Sequence, residues 1–139
     1  MQENNYAFFD AQNLYMRTKA NGWSVYLLHR YLKNKYATSK VFWFTGYLRC
    51  NRKFYKLLKD VGFITIFKEV LIGNDGKPKG NIDVDLTLHT IVKMSEYNKA
   101  LLVTSDGDFA VLVKYLKKPN LLLVTGSHYF INLALNILY

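Results

Sequence analysis

The sequence has little cysteine, little proline and no long apolar run. Its single cysteine, Cys50, cannot form an internal disulfide, which excludes a small disulfide-stabilised scaffold. Two prolines in 139 residues exclude a proline-rich or low-complexity chain. No apolar run approaches the roughly 18 to 20 residues of a membrane-spanning helix. We therefore expect a single domain, 1–139, that contacts no membrane.

The first ten residues, MQENNYAFFD, also lack the basic and apolar regions of a secretion signal, so the expected location is the cytoplasm. Hydrophobic residues make up 50% of the chain and aromatic residues 16%, which predicts a packed core. A domain of this length buries roughly two thirds of its extended-chain surface, so one core is expected.

Acidic residues are scarce and unevenly placed. The net charge is +9, from 19 Lys and Arg against 10 Asp and Glu. Outside five particular aspartates, 19 basic residues face only five acids, a balance of +14. An acidic spot in a basic surround suits a polyanion held beside a metal ion, although a generally basic protein would have the same total charge. The five aspartates are Asp10, Asp83, Asp85, Asp106 and Asp108.

Segments with strand and helix patterns alternate along the chain. This alternation predicts the α/β class: a three-layer α/β/α sandwich with a mainly parallel central sheet. A polar stretch at 73–80 has the composition of a hairpin turn or a flexible loop. The expected strands are 6–9, 40–47, 63–70, 101–103 and 120–124, and the expected helices are 11–19, 25–35, 49–61, 81–97, 109–116 and 127–139.

The aspartates occur where these elements begin or end. Asp10 follows the first strand, and Asp106 and Asp108 follow the strand at 101–103. Ligands bind at the carboxyl ends of the strands in open parallel sheets. Asp83 and Asp85 lie in the first turns of a helix, where acids also complement the helix dipole. Since these two residues point to roughly opposite sides of that helix, we expect Asp85 to face solvent rather than a ligand.

Several carboxylates brought together would take up protons unless a cation neutralised them. Mg²⁺ or Mn²⁺ is the expected cofactor, because these ions prefer oxygen ligands and commonly bind carboxylates together with a substrate phosphate. Zinc is not expected, because the three histidines and one cysteine show no ligand spacing. Of these histidines, His29 is expected to face solvent. No glycine-rich phosphate loop followed by lysine occurs.

Three segments in this order resemble the LabA-like branch of the NYN-domain family within the PIN-like nucleases. They are FFDAQNLY at 8–15, KGNIDVDLTL at 79–88 and LLVTSDGDFAVLVKYL at 101–116. The resemblance implies a PIN-like fold and a metal-dependent ribonuclease that hydrolyses RNA, with single-stranded RNA favoured as the partner. It also assigns residues: Asp10, Asp83, Asp106 and Asp108 to metal binding and catalysis, and Asn13, Lys79 and Ser105 to substrate binding.

Two positions depart from the family pattern. His89 stands where family members often have an aspartate, and Val111 stands where a proline is frequent. We interpret the histidine at position 89 as the loss of one outer carboxylate of the site, and prefer this to the alternative that His89 contacts substrate. This departure keeps a second hypothesis open, an RNA-binding or adaptor module with weak or no catalysis. A phosphohydrolase of small molecules ranks last, and a homodimer is left open.

Overall fold

The computed structural model describes residues 3–11, 22–68, 71–72, 74, 78–79, 82–104, 107–117 and 121–125. The predicted helix at 127–139 and all but the first residue of the one at 11–19 lie outside these ranges. Among the described helices, none has the length and apolar character needed to cross a membrane.

The described strands form a parallel sheet and a separate hairpin. Five strands make the parallel sheet in the order β3-β2-β1-β6-β7, and β4 pairs with β5 antiparallel, so the described residues 71–72 and 78–79 form a two-stranded hairpin. The strands are β1 Asn5–Asp10, β2 Thr38–Gly46, β3 Ile64–Lys68, β4 Leu71–Ile72, β5 Pro78–Lys79, β6 Ala100–Val103 and β7 Leu122–Thr125. The helices are α1 Gly22–Tyr36, α2 Arg52–Val61, α3 Ile82–Val92 and α4 Ala110–Lys117, with 3₁₀ turns at Arg49–Asn51 and Gly107–Phe109.

Helices cover both faces of the parallel sheet. Side chains alternate along β1, so Ala7 and Phe9 join the core under α1 and α2, while Tyr6 and Phe8 join the core under α3 and α4. Continuously apolar strands such as β6 fit this arrangement because both of their faces are buried. The predicted three-layer α/β/α sandwich is confirmed.

The third helix is shorter than its sequence pattern predicts. It ends at Val92, whereas the sequence predicted a helix to about Tyr97. The Tyr97 hydroxyl donates a hydrogen bond to the Thr90 carbonyl at 2.6 Å. Met94 N–H donates to the Ile91 carbonyl instead of the Thr90 carbonyl that a continuing helix would use. The helix ends here because the chain turns to bury the Tyr97 ring in the core, where burial raises its pKa to about 12.

His29 is half-buried, which corrects the expectation that it faces solvent. Its ring packs edge-on against Phe63, with ring centroids 5.1 Å apart. Gly62 closes α2 with a φ of 124°, and a Cβ there would lie 3.1 Å from His29 Nε2. Burial lowers the pKa of His29; a hydrogen bond with the Gly62 backbone opposes this shift and the charge of Lys33 adds to it. His29 is therefore a packing residue between α1 and the end of α2.

Candidate functional site at the carboxyl edge of the sheet

Asp10 lies at the centre of the candidate site. It is the last residue of β1, the middle strand of the sheet, and is only 1% exposed. Strand β1 lies between β2 and β6, so the strand order reverses here, and parallel sheets bind ligands at such a point. The Thr104 hydroxyl donates a hydrogen bond to Asp10 Oδ2 at 2.8 Å. A buried carboxylate requires such donors or a cation, because burial without them is costly.

Thr104 is a site residue that the sequence analysis missed. The register pairs Phe9 with Val103, so Asp10 and Thr104 come next on two adjacent strands. The signal that could have found Thr104 is a hydroxyl residue directly after the strand that neighbours β1. That signal requires the strand order, which the sequence pattern does not supply.

Asp10 and Thr104 point toward the α3 and α4 side of the sheet. Phe9 and Val103 belong to the core under α1 and α2, so the next residue on each strand faces the opposite way. Phe44, the β2 partner of Asp10, belongs to the core under α3 and α4. The candidate site is therefore the corner between the carboxyl edge of the sheet and the α3–α4 layer.

Two further aspartates lie on elements that pack at this corner. Asp83 is half-buried in the first turn of α3, and Asp108 is exposed in the turn Gly107–Phe109 after β6. Helix α3 contacts β1, β2 and that turn. The fold therefore brings together the elements that carry Asp10, Asp83 and Asp108.

Within the described ranges, no three or more His, Cys, Asp or Glu side chains form a group that could hold a metal ion. Asp106, Ser105 and Asn13 lie outside those ranges, so the four-carboxylate site remains a prediction. The chemistry of the donor set fits Mg²⁺ or Mn²⁺, because the predicted ligands offer only carboxylate oxygens. The buried Asp10 carboxylate at the switch point is the structural observation in favour of that fit.

Asp85 lies on the same helix as Asp83 but contacts a different part of the sheet. Its Oδ2 atom is 3.8 Å from Nζ of Lys68, the last residue of β3. The structure thus gives Asp85 a lysine partner, Lys68, on a strand two positions away from β1.

Lys79 is in β5, paired with Leu71 of β4 in the hairpin that precedes α3.

His89 contacts the aromatic core beside the site. Its ring packs edge-on against Phe44, with centroids 5.4 Å apart. Phe44 is the β2 residue paired with Asp10, so His89 contacts a direct strand neighbour of Asp10. Position 89 is therefore joined to the corner through the ring of Phe44.

Comparison with known proteins shows the family and the fold of the chain. The sequence profile of the NYN domain matches residues 6–134. The crystal structure of a protein of unknown function from Vibrio parahaemolyticus has a TM-score of 0.70 and 24% sequence identity, and the match covers 94% of this chain and 88% of that one. That likeness shows a shared fold. The comparison with curated proteins found no match.

Proposed function

Because the chain belongs to the NYN domain family, we propose that it is a ribonuclease that depends on Mg²⁺ or Mn²⁺. NYN domains have a PIN-like nuclease fold and are generally ribonucleases. The observation that carries the proposal is the buried Asp10 carboxylate, held by Thr104 at the switch point of a parallel sheet. Membership of the LabA-like branch remains a prediction.

In this proposal Asp10, Asp83, Asp106 and Asp108 hold the cation. When bound, the cation supplies positive charge to the phosphodiester and lowers the pKa of the attacking water. In the net reaction the oxygen of water bonds to phosphorus, the bond from phosphorus to the leaving oxygen breaks, and the proton that water loses ends on the leaving oxygen. Thr104 fixes the direction of the Asp10 carboxylate, so that this ligand is oriented before the substrate arrives.

The charge of the chain supports RNA as the substrate. The net charge is +9, and the predicted acidic site lowers it, so the remaining surface attracts a polyanion more strongly than the total suggests. Asn13, Lys79 and Ser105 are proposed to contact that substrate. The location is proposed to be the cytoplasm.

A second candidate function is an RNA-binding or adaptor module without strong catalysis. His89 supports this candidate. Family members often have an acid at this position, whereas the His89 ring packs against Phe44. A missing outer carboxylate would weaken metal binding while leaving the basic surface intact. Binding of RNA that weakens as salt rises, with the RNA left uncut, would support this candidate.

Cleavage assays test the proposal. Wild type, Asp106→Asn and Asp60→Asn are incubated with labelled single-stranded RNA in Mn²⁺ or in EDTA. Asp60 is an exposed residue of α2, so its variant makes the same chemical change away from the corner. We expect cleavage in Mn²⁺ by wild type and Asp60→Asn only. Equal cleavage by wild type and Asp106→Asn would contradict the proposal.

A further inference from the structure

A second charged region lies where the chain leaves β2 and enters α2. A concave surface there has a volume of about 520 Å³ and is lined by Arg49, Cys50, Arg52 and Lys53. All four side chains are exposed. None of the ion pairs among the described residues involves these three cations. The surface therefore presents three positive charges at the amino-terminal end of α2, where the helix dipole adds to them.

Two exposed aromatic rings lie at the same edge of the sheet as these cations, next to the ends of β2 and β3. Tyr47 is 48% exposed and Phe67 is 39% exposed. Their rings meet edge to face with centroids 5.3 Å apart, and the buried Tyr55 ring packs against both, at 5.5 Å from Tyr47 and 4.7 Å from Phe67. Exposed aromatic rings beside a positive groove are the combination that binds single-stranded nucleic acid. We call Tyr47, Arg49, Arg52, Lys53 and Phe67 the basic ledge.

The Tyr55 hydroxyl holds the loop of the basic ledge in place. It donates a hydrogen bond to the Gly46 carbonyl at 3.3 Å and accepts one from Leu48 N–H at 3.1 Å. Tyr47 N–H also donates to the Lys68 carbonyl at 3.4 Å, which ties the loop to the end of β3. A surface fixed before binding loses less conformational entropy when a ligand arrives.

The basic ledge shares the carboxyl edge of the sheet with Asp10. Strand β2 ends at Gly46, two residues beyond Phe44, the strand partner of Asp10. Adjacent strands are about 4.8 Å apart and each residue advances about 3.3 Å along a strand, so the loop begins roughly 8 Å from the end of β1. A polynucleotide lying on the ledge can cross this edge to reach the corner of Asp10.

We propose that the basic ledge binds single-stranded RNA, with phosphates on Arg49, Arg52 and Lys53 and bases stacked on Tyr47 and Phe67. That the bound RNA runs toward Asp10 rests on the proposed ribonuclease function, whereas the binding of RNA to the ledge does not. Duplex RNA binds more weakly, because its bases are stacked on each other and cannot stack on the ledge. A polyglutamate chain binds more weakly too, since it offers charge without bases.

Binding of labelled single-stranded RNA in EDTA tests the charges without any cleavage. The double variant Arg52→Gln, Lys53→Gln is compared with Lys114→Gln, Lys117→Gln, which removes two exposed charges from the last turn of α4. Each lost phosphate contact lowers the slope of log binding constant against log salt concentration by about 0.7. Two lost contacts lower it by about 1.4, so the ledge variant should bind ~25-fold more weakly than wild type at 0.1 M salt, one decade below 1 M. Equal affinity of the two double variants would overturn the proposal.

Two substitutions at Tyr47 test stacking. Tyr47→Ala should weaken binding roughly fivefold or more, while Tyr47→Phe keeps the ring and binds like wild type. Duplex RNA and polyglutamate of matched charge serve as competitors. Competition by either one at the concentration at which single-stranded RNA competes would contradict recognition of a single strand.

Cys50 provides an independent footprint, since it is the single cysteine of the chain and is exposed within the concave surface. Saturating single-stranded RNA should slow the reaction of Cys50 with a maleimide severalfold, and an unchanged rate would overturn the proposal.

The ribonuclease proposal and the ledge proposal can fail separately. RNA binding at the ledge without cleavage in Mn²⁺ contradicts the nuclease alone, and cleavage with unchanged binding by ledge variants contradicts the ledge alone.

Discussion

The Thr104 hydroxyl donates a hydrogen bond to Asp10 Oδ2 at 2.8 Å, joining two residues that are 94 positions apart in the sequence. The contact spans the ends of β1 and β6, where the strand order of the sheet reverses. A buried carboxylate with a fixed orientation is what a metal ligand requires. The contact therefore connects the stability of the fold with the proposed chemistry.

Replacing Thr104 tests this connection. Thr104→Val removes the hydroxyl and leaves the buried Asp10 carboxylate with one donor fewer. The free energy of unfolding should fall by about 1.5 to 3 kcal/mol, as for other hydrogen bonds to charged groups. Urea denaturation measures this change, and Thr104→Ser serves as the control that retains the donor. A Thr104→Val protein as stable as wild type would show that the hydrogen bond contributes little.

The two aspartates of α3 are predicted to differ in function. Asp83→Asn should lower Mn²⁺-dependent RNA cleavage at least roughly tenfold, because it removes a proposed ligand. Asp85→Asn should change the rate little, since it breaks only a partly exposed ion pair with Lys68, and such pairs contribute about 0 to 1 kcal/mol. Initial rates of both variants at saturating Mn²⁺ decide the matter. A larger loss in Asp85→Asn would reverse the assignment.

Stability should depend on pH through His29. Burial lowers the pKa of His29 below its ordinary value of 6.5, so the unfolded chain binds a proton more readily than the folded one. The stabilisation is therefore present above pH 6.5 and is lost as the pH falls from 6.5 through the folded-state pKa. Urea denaturation between pH 5 and pH 8 measures it. The dependence should become weaker in His29→Gln, and an unchanged dependence in that variant would exclude His29 as its source.

Restoring an acid at position 89 tests the interpretation of that departure. His89→Asp should lower the Mn²⁺ concentration required for half-maximal cleavage roughly tenfold, because it adds a carboxylate near the corner. His89→Asn is the matched control, since it also loses the ring contact with Phe44 but adds no charge. The same metal dependence in both variants would show that the histidine does not replace an outer carboxylate.

The local patterns of the sequence sufficed for the layers of the fold. The alternation of strand and helix patterns predicted a mainly parallel sheet covered by helices, and the position of Asp10 after the first strand predicted an acid at its carboxyl edge. Local patterns could not predict the end of α3, because it depends on a hydrogen bond between Tyr97 and Thr90 formed when the ring packs in the core. They also predicted that His29 faces solvent, because its contact with Phe63 joins α1 to the segment that follows α2 and is not visible in a local pattern.

The candidate site shows the same division between local and long-range information. Asp10 was predicted from the residues around it, whereas Thr104 required knowledge that β6 neighbours β1. The charges of the basic ledge were visible in the sequence, where its three cations lie within 49–53. The exposure of Tyr47 and Phe67 was not, because an aromatic residue at the end of a strand has the same pattern whether it is buried or exposed.

The central claim is that Asp10 binds the cation on which RNA cleavage depends, and the rate of cleavage as a function of Mn²⁺ concentration tests it most directly. Wild type and Asp10→Asn are compared after circular dichroism has shown that both are folded. The account predicts a wild-type rate that rises with Mn²⁺ to saturation and is absent in EDTA, with the variant roughly 100-fold slower or more at every concentration. Equal rates for the two proteins, or wild-type cleavage that persists in EDTA, would contradict it.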